Sequence, residues 1–174
     1  VDFSSNDYLA LSGDERLRTA MTDALAEGLA VGAGGSRLLR GNDPEHVMLE
    51  EEAARHFGSE SCLYFANGFV ANMALLSTLP QRGDLIVHDA LIHASVHDGM
   101  RLSRAEIRAA LHNDPQSVRD AIAGWRRAGG TGRIWISVES LYSMDGDFSP
   151  LDELAAIADE HDAILLVDEA HATG

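Results

Sequence analysis

This sequence predicts an α/β fold, a mostly parallel sheet with helices on both faces. Three observations carry that expectation. Short, largely apolar runs (Leu85-Ile86-Val87, Ile134 to Val138, Ile164-Leu165-Leu166-Val167) are each bounded by polar residues, the mark of strands buried on both faces. Segments with helical periodicity alternate with these runs, as in βαβ units. Acids and histidines follow the runs directly: His88-Asp89, Glu139, and Asp168-Glu169-Ala170-His171. The carboxyl edge of a parallel sheet is where α/β proteins keep their ligands.

The 174 residues, 45% hydrophobic, suffice for one domain with a sizeable core. A formal net charge of −15 argues against a nucleic-acid partner, because phosphate contacts need a basic surface. All 13 basic residues are arginine, and the sequence contains no lysine. Cys62 is the only cysteine, which excludes an internal disulfide and fits a reducing, cytoplasmic setting. No apolar run reaches membrane-spanning length, so no membrane partner is expected, and Val1-Asp2-Phe3-Ser4 does not read as a signal peptide. The chain begins and ends inside what reads as regular structure, so it reads as a piece of a larger protein.

Asn6-Asp7-Tyr8-Leu9-Ala10-Leu11 is a turn-rich opening. The spacing of Leu17, Met21, Ala24 and Leu25 predicts a helix over 14–28, stopped by Gly28. Gly32-Ala33-Gly34-Gly35-Ser36-Arg37 is either a phosphate cradle or a plain surface loop, and the Walker A form would need Gly-Lys-Ser/Thr. Asp43-Pro44 supplies an N-cap and a first-turn proline to a helix with Leu49, Ala53 and Phe57 on one face. Its Glu50-Glu51-Glu52 run reads as a solvated face. Ser61 to Ala66 reads as the first buried strand, Asn67-Gly68 as a turn, and Phe69 to Leu79 as a helix with Phe69, Met73 and Leu76 in one stripe. Leu85-Ile86-Val87 is the second strand, and a helix starts within Ala90 to His97. Glu106 to His112 is the third strand. Asp114-Pro115 then opens a helix with Val118, Ala121, Ile122 and Trp125 at i, i+3, i+4 and i+7. Arg133 to Glu139 is the fourth strand, Ser143 to Asp147 a loop, and Ser149-Pro150 the cap of a helix with Leu151, Leu154, Ala155 and Ala158 turned inward. The fifth strand begins at Ile164.

Parallel strands bring Asn67-Gly68, His93, Glu139 to Ser143, and Asp168 with His171 to one edge. The Asn67-Gly68 turn before a helix offers N–H groups and a positive dipole end to an anion, a weak signal alone because every βα unit has such a turn. His93 and His97 stand one helical turn apart, a spacing that can bind metal. No acidic or cysteine ligand accompanies them and HExxH is not matched, so no metal site is expected. Val167-Asp168-Glu169-Ala170-His171 has the letters of a Walker B motif, which would hold Mg²⁺ in an ATPase. Such a site needs a P-loop lysine, and the chain has none.

Ordered motifs point elsewhere. Asn6-Asp7-Tyr8-Leu9, Gly34-Gly35-Ser36-Arg37, Gly41-Asn42, Asn67-Gly68-Phe69 with Ala71-Asn72, His93-Ala94-Ser95, Glu139-Ser140 with Ser143-Met144-Asp145-Gly146-Asp147, and Asp168 to Gly174 together resemble the α-oxoamine synthases, pyridoxal-phosphate enzymes, along the whole chain. The resemblance implies the large domain of a fold-type I PLP-dependent transferase. Residues 1–40 would be an N-terminal segment with its Gly-rich loop, and 41–174 a partial cofactor domain. It implies pyridoxal 5'-phosphate as cofactor, with Asp168 facing the pyridine nitrogen and keeping it protonated. His171 would lie near the phenolic oxygen, and His93 over the ring face, placing the substrate as the catalytic residue. Gly68 and Phe69 would give N–H groups to the phosphate, and Ser143 would reach the cofactor from its loop. Glu139 would support that loop, and His97 would be a packing or surface histidine.

The implied reaction is a decarboxylating Claisen condensation of an amino acid, L-alanine first, with an acyl thioester such as pimeloyl-CoA or its acyl-carrier-protein form, in biotin biosynthesis. Glycine or serine as the amino acid, or a non-catalytic partner subunit without the lysine, are the alternatives. In the family, the lysine that carries the cofactor lies beyond the fifth strand. So do two further strands, which sit between the first and fifth strands here. The 174 residues should therefore leave a gap in their own sheet and be inactive alone. The family works as a homodimer, and the Gly34 to Asn42 loop would serve the neighbouring site.

Overall fold

Four strands form one all-parallel sheet: β1 (Leu85–Asp89), β2 (Glu106–Ala110), β3 (Ile134–Glu139) and β4 (Ile164–Asp168), in the order β2-β1-β3-β4. The computed structural model describes residues 4–173, which divide into two compact units, 4–64 and 65–173. The sheet lies in the second unit with α3 (Gly68–Thr78), α4 (Ala94–Leu102), α5 (Pro115–Arg127) and α6 (Leu151–His161). The expected mostly parallel α/β architecture is what the chain adopts.

The two-residue period of the strands sorts the core into two layers. Leu85, Val87, Ile134, Ile136 and Val138 face one side and pack with Val118, Ile122 and Trp125 of α5 and Leu154, Ile157 and Ala158 of α6. Ile86 and Trp135 face the other side and pack with Leu76 of α3 and Val96 and Met100 of α4, with Ile164 and Leu166 alongside. The same alternation puts Glu139 and Asp168 on the α3/α4 side. Their strands pair there with Glu139 opposite Asp168.

Local signals explain the helix starts. Asp114 accepts the N–H groups of Gln116 and Ser117 ahead of Pro115, as expected of an Asp-Pro start. Asn67 caps α3 by accepting Val70 N–H, and His93 caps α4 by accepting Ser95 N–H. Gly99 lets α4 lie on α3: a Cβ there would stand 3.0 Å from Asn72 O and 3.0 Å from Leu76 Cβ.

Several expectations need correction. Ser61 to Ala66 is not a strand and is mostly exposed, because a ladder needs a paired neighbour and no described strand runs beside it. β4 is half-buried at every position rather than enclosed on both faces, since it pairs with β3 alone. Ser149 does not cap α6; its hydroxyl donates to Asn113 Oδ1. In α6 Ile157 joins Leu154 and Ala158 in the core, whereas Ala155 is exposed.

The first unit carries a 3-10 turn (Leu11–Gly13), α1 (Glu15–Ala26) and α2 (Pro44–Phe57). Asp14 and Asp43 cap the two helices, and Gly28 follows α1 at φ +95°. The apolar stripes read from the sequence exist but are not enclosed: Met21 is 69% and Phe57 61% exposed. Glu50 departs from the solvated run, for it takes two hydrogen bonds from the Arg37 guanidinium, at 2.5 and 2.9 Å, and the Tyr64 N–H at 2.7 Å. Arg37 also donates to Asn42 Oδ1, so one side chain ties the Gly-rich loop to α2. No helix among the described residues is long and apolar enough to cross a membrane.

Candidate active site

The carboxyl edge of β3 and β4 carries a connected polar network. Asn72 interrupts the apolar sequence of α3 and points its amide at the sheet. Its Nδ2 donates to Asp168 Oδ2 at 2.6 Å and to Ser95 Oγ at 3.0 Å. The other Asp168 oxygen accepts Ala170 N–H at 2.9 Å. Ser95 is fully buried in the first turn of α4, with its Oγ 2.8 Å from His93 Nδ1. The Ser95 N–H also reaches that nitrogen, at 3.2 Å. A backbone N–H can only donate, so Nδ1 is an acceptor and the ring proton sits on Nε2.

Glu139 stands beside Asp168, one strand over, and is 3% exposed. Burial pushes its carboxyl above the usual range and the neighbouring Asp168 adds to that, while the N–H groups of Ser143 and His93 work against it. Ser143 itself is exposed on the 140–149 loop. The Phe69 ring meets His93 edge-on, with centroids 6.4 Å apart.

The start of α3 has the geometry that can accept an anion. Helix geometry leaves its first N–H groups without intrahelical acceptors. Asn67 takes Val70 N–H through its side chain and Ala71 N–H through its carbonyl, so those of Gly68 and Phe69 lie at the open end. A Cβ at Gly68 would meet nothing within 4 Å. His171 follows β4 in a turn where Ala172 N–H reaches Glu169 O at 3.1 Å. His97 packs edge-on against buried His88 at 5.1 Å, a packing contact as expected.

The structure therefore joins Asp168 and His93 through the hydrogen bonds of Asn72 and Ser95, with Glu139 paired beside Asp168 and Phe69 against His93, while Ser143 stands exposed on its loop. Sequence reasoning gave no role to the two residues that make the connection, Asn72 and Ser95. The available signal was an amide side chain inside the apolar run Phe69-Val70-Ala71-Asn72-Met73-Ala74-Leu75-Leu76.

A parallel sheet with a helix start and a fixed carboxylate at its carboxyl edge is the kind of place where α/β proteins hold their ligands. All of the chain, residues 1–174, matches the aminotransferase class I and II family, and the chain belongs to it. The 8-amino-7-oxononanoate synthase of Acidithiobacillus ferrooxidans is 42% identical over 174 residues, 100% of this chain and 43% of that protein. The synthase of the same name from Methylorubrum extorquens is 45% identical over 100% of this chain and 45% of its own length. Among solved structures, serine palmitoyltransferase from S. paucimobilis with a bound PLP–myriocin aldimine matches at TM-score 0.85 and 32% identity, covering 97% of this chain and 43% of that one. The 8-amino-7-oxononanoate synthase of Francisella tularensis matches at TM-score 0.73 and 29% identity, over 97% and 44%. The chain spans less than half the length of these relatives. The resemblance to α-oxoamine synthases, and the fold-type I architecture it implies, are both borne out.

Proposed function

We propose that this chain is the cofactor-binding part of a pyridoxal-phosphate-dependent C-acyltransferase that joins L-alanine to a pimeloyl thioester, carried by CoA or acyl-carrier protein, in the synthesis of biotin. The observation that carries the reading is the Asp168 carboxylate, held by Asn72 at the edge of a sheet whose neighbouring helix start accepts anions. The residues fit the cofactor: one end of it is an anion, suited to the N–H groups of Gly68 and Phe69, and the other a ring nitrogen whose proton a carboxylate holds.

When bound, the pyridinium ring withdraws the electron pair released at the amino-acid carbon. Asp168 would keep the proton on the ring nitrogen, with Asn72 and Ala170 N–H fixing the direction of its carboxylate. His93, anchored through Nδ1, would use Nε2–H to orient a substrate carboxylate. Ser143 and His171 would contact the cofactor from the two flanking loops. The 174 residues hold no lysine, so the group that anchors the cofactor covalently would come from outside them. The working assembly would be a cytoplasmic homodimer.

The closer superposition on a serine palmitoyltransferase than on an 8-amino-7-oxononanoate synthase favours a second reading, serine or glycine as the amino acid. Assay of the intact protein with alanine, glycine and serine against short and long acyl-CoAs separates the two. Pyridoxal phosphate should bind the Asp168→Asn variant about tenfold more weakly, the effect of losing a charge-assisted hydrogen bond. An unchanged dissociation constant would refute the assignment of Asp168.

A further inference from the structure

A second polar cluster stands where β1 and β2 end, and the proposed cofactor site does not use it. His112, just beyond β2, places Nδ1 2.9 Å from Asp89 Oδ1 and Nε2 2.9 Å from Asp147 Oδ2. A neutral imidazole has one N–H and serves one carboxylate; only the imidazolium has donors for both. The two carboxylates differ in what else holds them. Asp89, 5% exposed, also receives Leu91 N–H and Asn113 N–H, each at 2.8 Å. Asp147 Oδ2 receives one other donor, Asn113 Nδ2 at 2.7 Å, and its enclosed Oδ1 has no hydrogen-bond partner among the described residues.

Asp147 belongs to the loop that carries Ser143. That loop is closed on itself by the Leu141–Phe148 bridge, by Ser149 N–H to Ser140 O and by Tyr142 N–H to Asp147 O. It is fixed to β4 by Ser140 N–H to Asp168 O at 2.9 Å. On its far side the loop is held by Asp147 together with Asn113, whose amide reaches Phe148 O at 3.2 Å and takes the Ser149 hydroxyl at 3.2 Å, so the His112 bond is one clasp among several there.

We propose that His112 is a protonation-controlled latch: as the imidazolium it clips loop 140–149 to the ends of β1 and β2, and on losing a proton to solvent it releases Asp147. The bond to Asp89 is the one kept, because leaving a buried carboxylate short of a donor costs more than leaving a partly exposed one. Burial works against the charged ring, but the hydrogen bonds to Asp89 and Asp147 outweigh it, and His112 titrates above the ordinary histidine value. Asp147 titrates below the usual carboxylate value, chiefly through the His112 bond. A raised folded-state pKa means that the clip is complete below the ordinary histidine value and is lost as pH rises through the raised one. The groups facing His112 are Asp89 from β1, Asp147 and the Tyr142 ring from the loop (centroids 4.5 Å apart), and Asn113. Asp114 spends its carboxylate on the start of α5.

That the latch positions a cofactor contact, Ser143, rests on the proposed function; the latch itself does not. The test is amide hydrogen exchange of peptide 140–149 in the intact protein from about pH 5.5 to about pH 9, the span of a perturbed histidine, corrected for intrinsic rates. Protection should fall about tenfold through one titration as pH rises, the effect of losing one hydrogen bond to a charged group. The His112→Gln profile should be flat, and Asp147→Asn should move the midpoint to lower pH. A flat wild-type profile, the same fall in His112→Gln, or an unmoved midpoint in Asp147→Asn overturns the latch. Failure of the intact protein to bind pyridoxal phosphate would sink the functional reading, whereas the exchange profile decides the latch with or without the cofactor.

Discussion

Asn72 is the side chain on which the orientation of Asp168 depends. It is half-buried, and its amide donates both to the Asp168 carboxylate and to the Ser95 hydroxyl. Replacement by leucine keeps the volume but removes both donors, taking from Asp168 Oδ2 its side-chain donor and leaving Ser95 Oγ with His93 Nδ1. In the intact protein, Asn72→Leu should weaken pyridoxal phosphate binding about tenfold while the fold persists, read by fluorescence titration beside a thermal melt. Equal affinity would show that Asp168 needs no such orientation. Glu50 gives a pH prediction at the same scale. Arg37, and after it the Tyr64 N–H, push its carboxyl down to about 2. A depressed folded-state pKa contributes stability that is present above the unfolded carboxylate value and lost as pH falls toward about 2. Melting temperatures measured stepwise from neutral to acid pH should therefore drop less in Glu50→Gln than in the wild type. Parallel slopes would remove Glu50 from the account of acid lability.

At the scale of elements, the contact between α3 and α4 decides whether the site assembles, because Asn72 sits on one helix and Ser95 on the other. Gly99 sets that contact. Its missing Cβ would press on the Asn72 carbonyl and Leu76 Cβ at 3.0 Å, both parts of a packed helix that cannot simply rotate away. Gly99→Ala should cost about 1–3 kcal/mol of stability and weaken cofactor binding with it, measured by denaturant unfolding and titration together. A stabilised variant, as helix propensity alone would give, would show that the helices have room to separate. The helix starts were legible because their signals are local: Asp43-Pro44 and Asp114-Pro115 carry cap and first turn in adjacent residues. Strands β1 and β3 were legible because enclosure on both faces leaves an apolar run. Ser61 to Ala66 has the same apolar character and forms no strand, since pairing is supplied by neighbours and not by the run itself. The stripe on α1 misled for a related reason. Periodicity shows which face would seek a core, not whether a core lies opposite, and Leu17, Met21 and Leu25 are all exposed.

For the whole molecule, the candidate site was legible as a set of strand ends and illegible as a network. Topology places Asp168, His93 and Glu139 at one edge, and sequence order suffices to say so. The bond that unites them joins residues 96 apart, Asn72 and Asp168, and no local pattern announces it. The same holds for His112, whose partners lie 23 and 35 positions away. The chain also has open requirements that its own residues do not meet. Among the described residues β4 pairs on one side only, and covalent capture of an aldehyde cofactor by a side chain needs a lysine, which the sequence lacks. On the proposed function, the α3 start and the Asp168 carboxylate would support only weak, reversible association with pyridoxal phosphate. The 174-residue chain taken alone should therefore bind the cofactor in a form removed by dialysis, with no side-chain adduct fixed by borohydride and no turnover of alanine with pimeloyl-CoA. A long-wavelength absorbance band that survives dialysis, with the reduced adduct mapped to a side chain of these residues, would show that this scaffold captures the cofactor by a route its arginine-only cation set does not suggest.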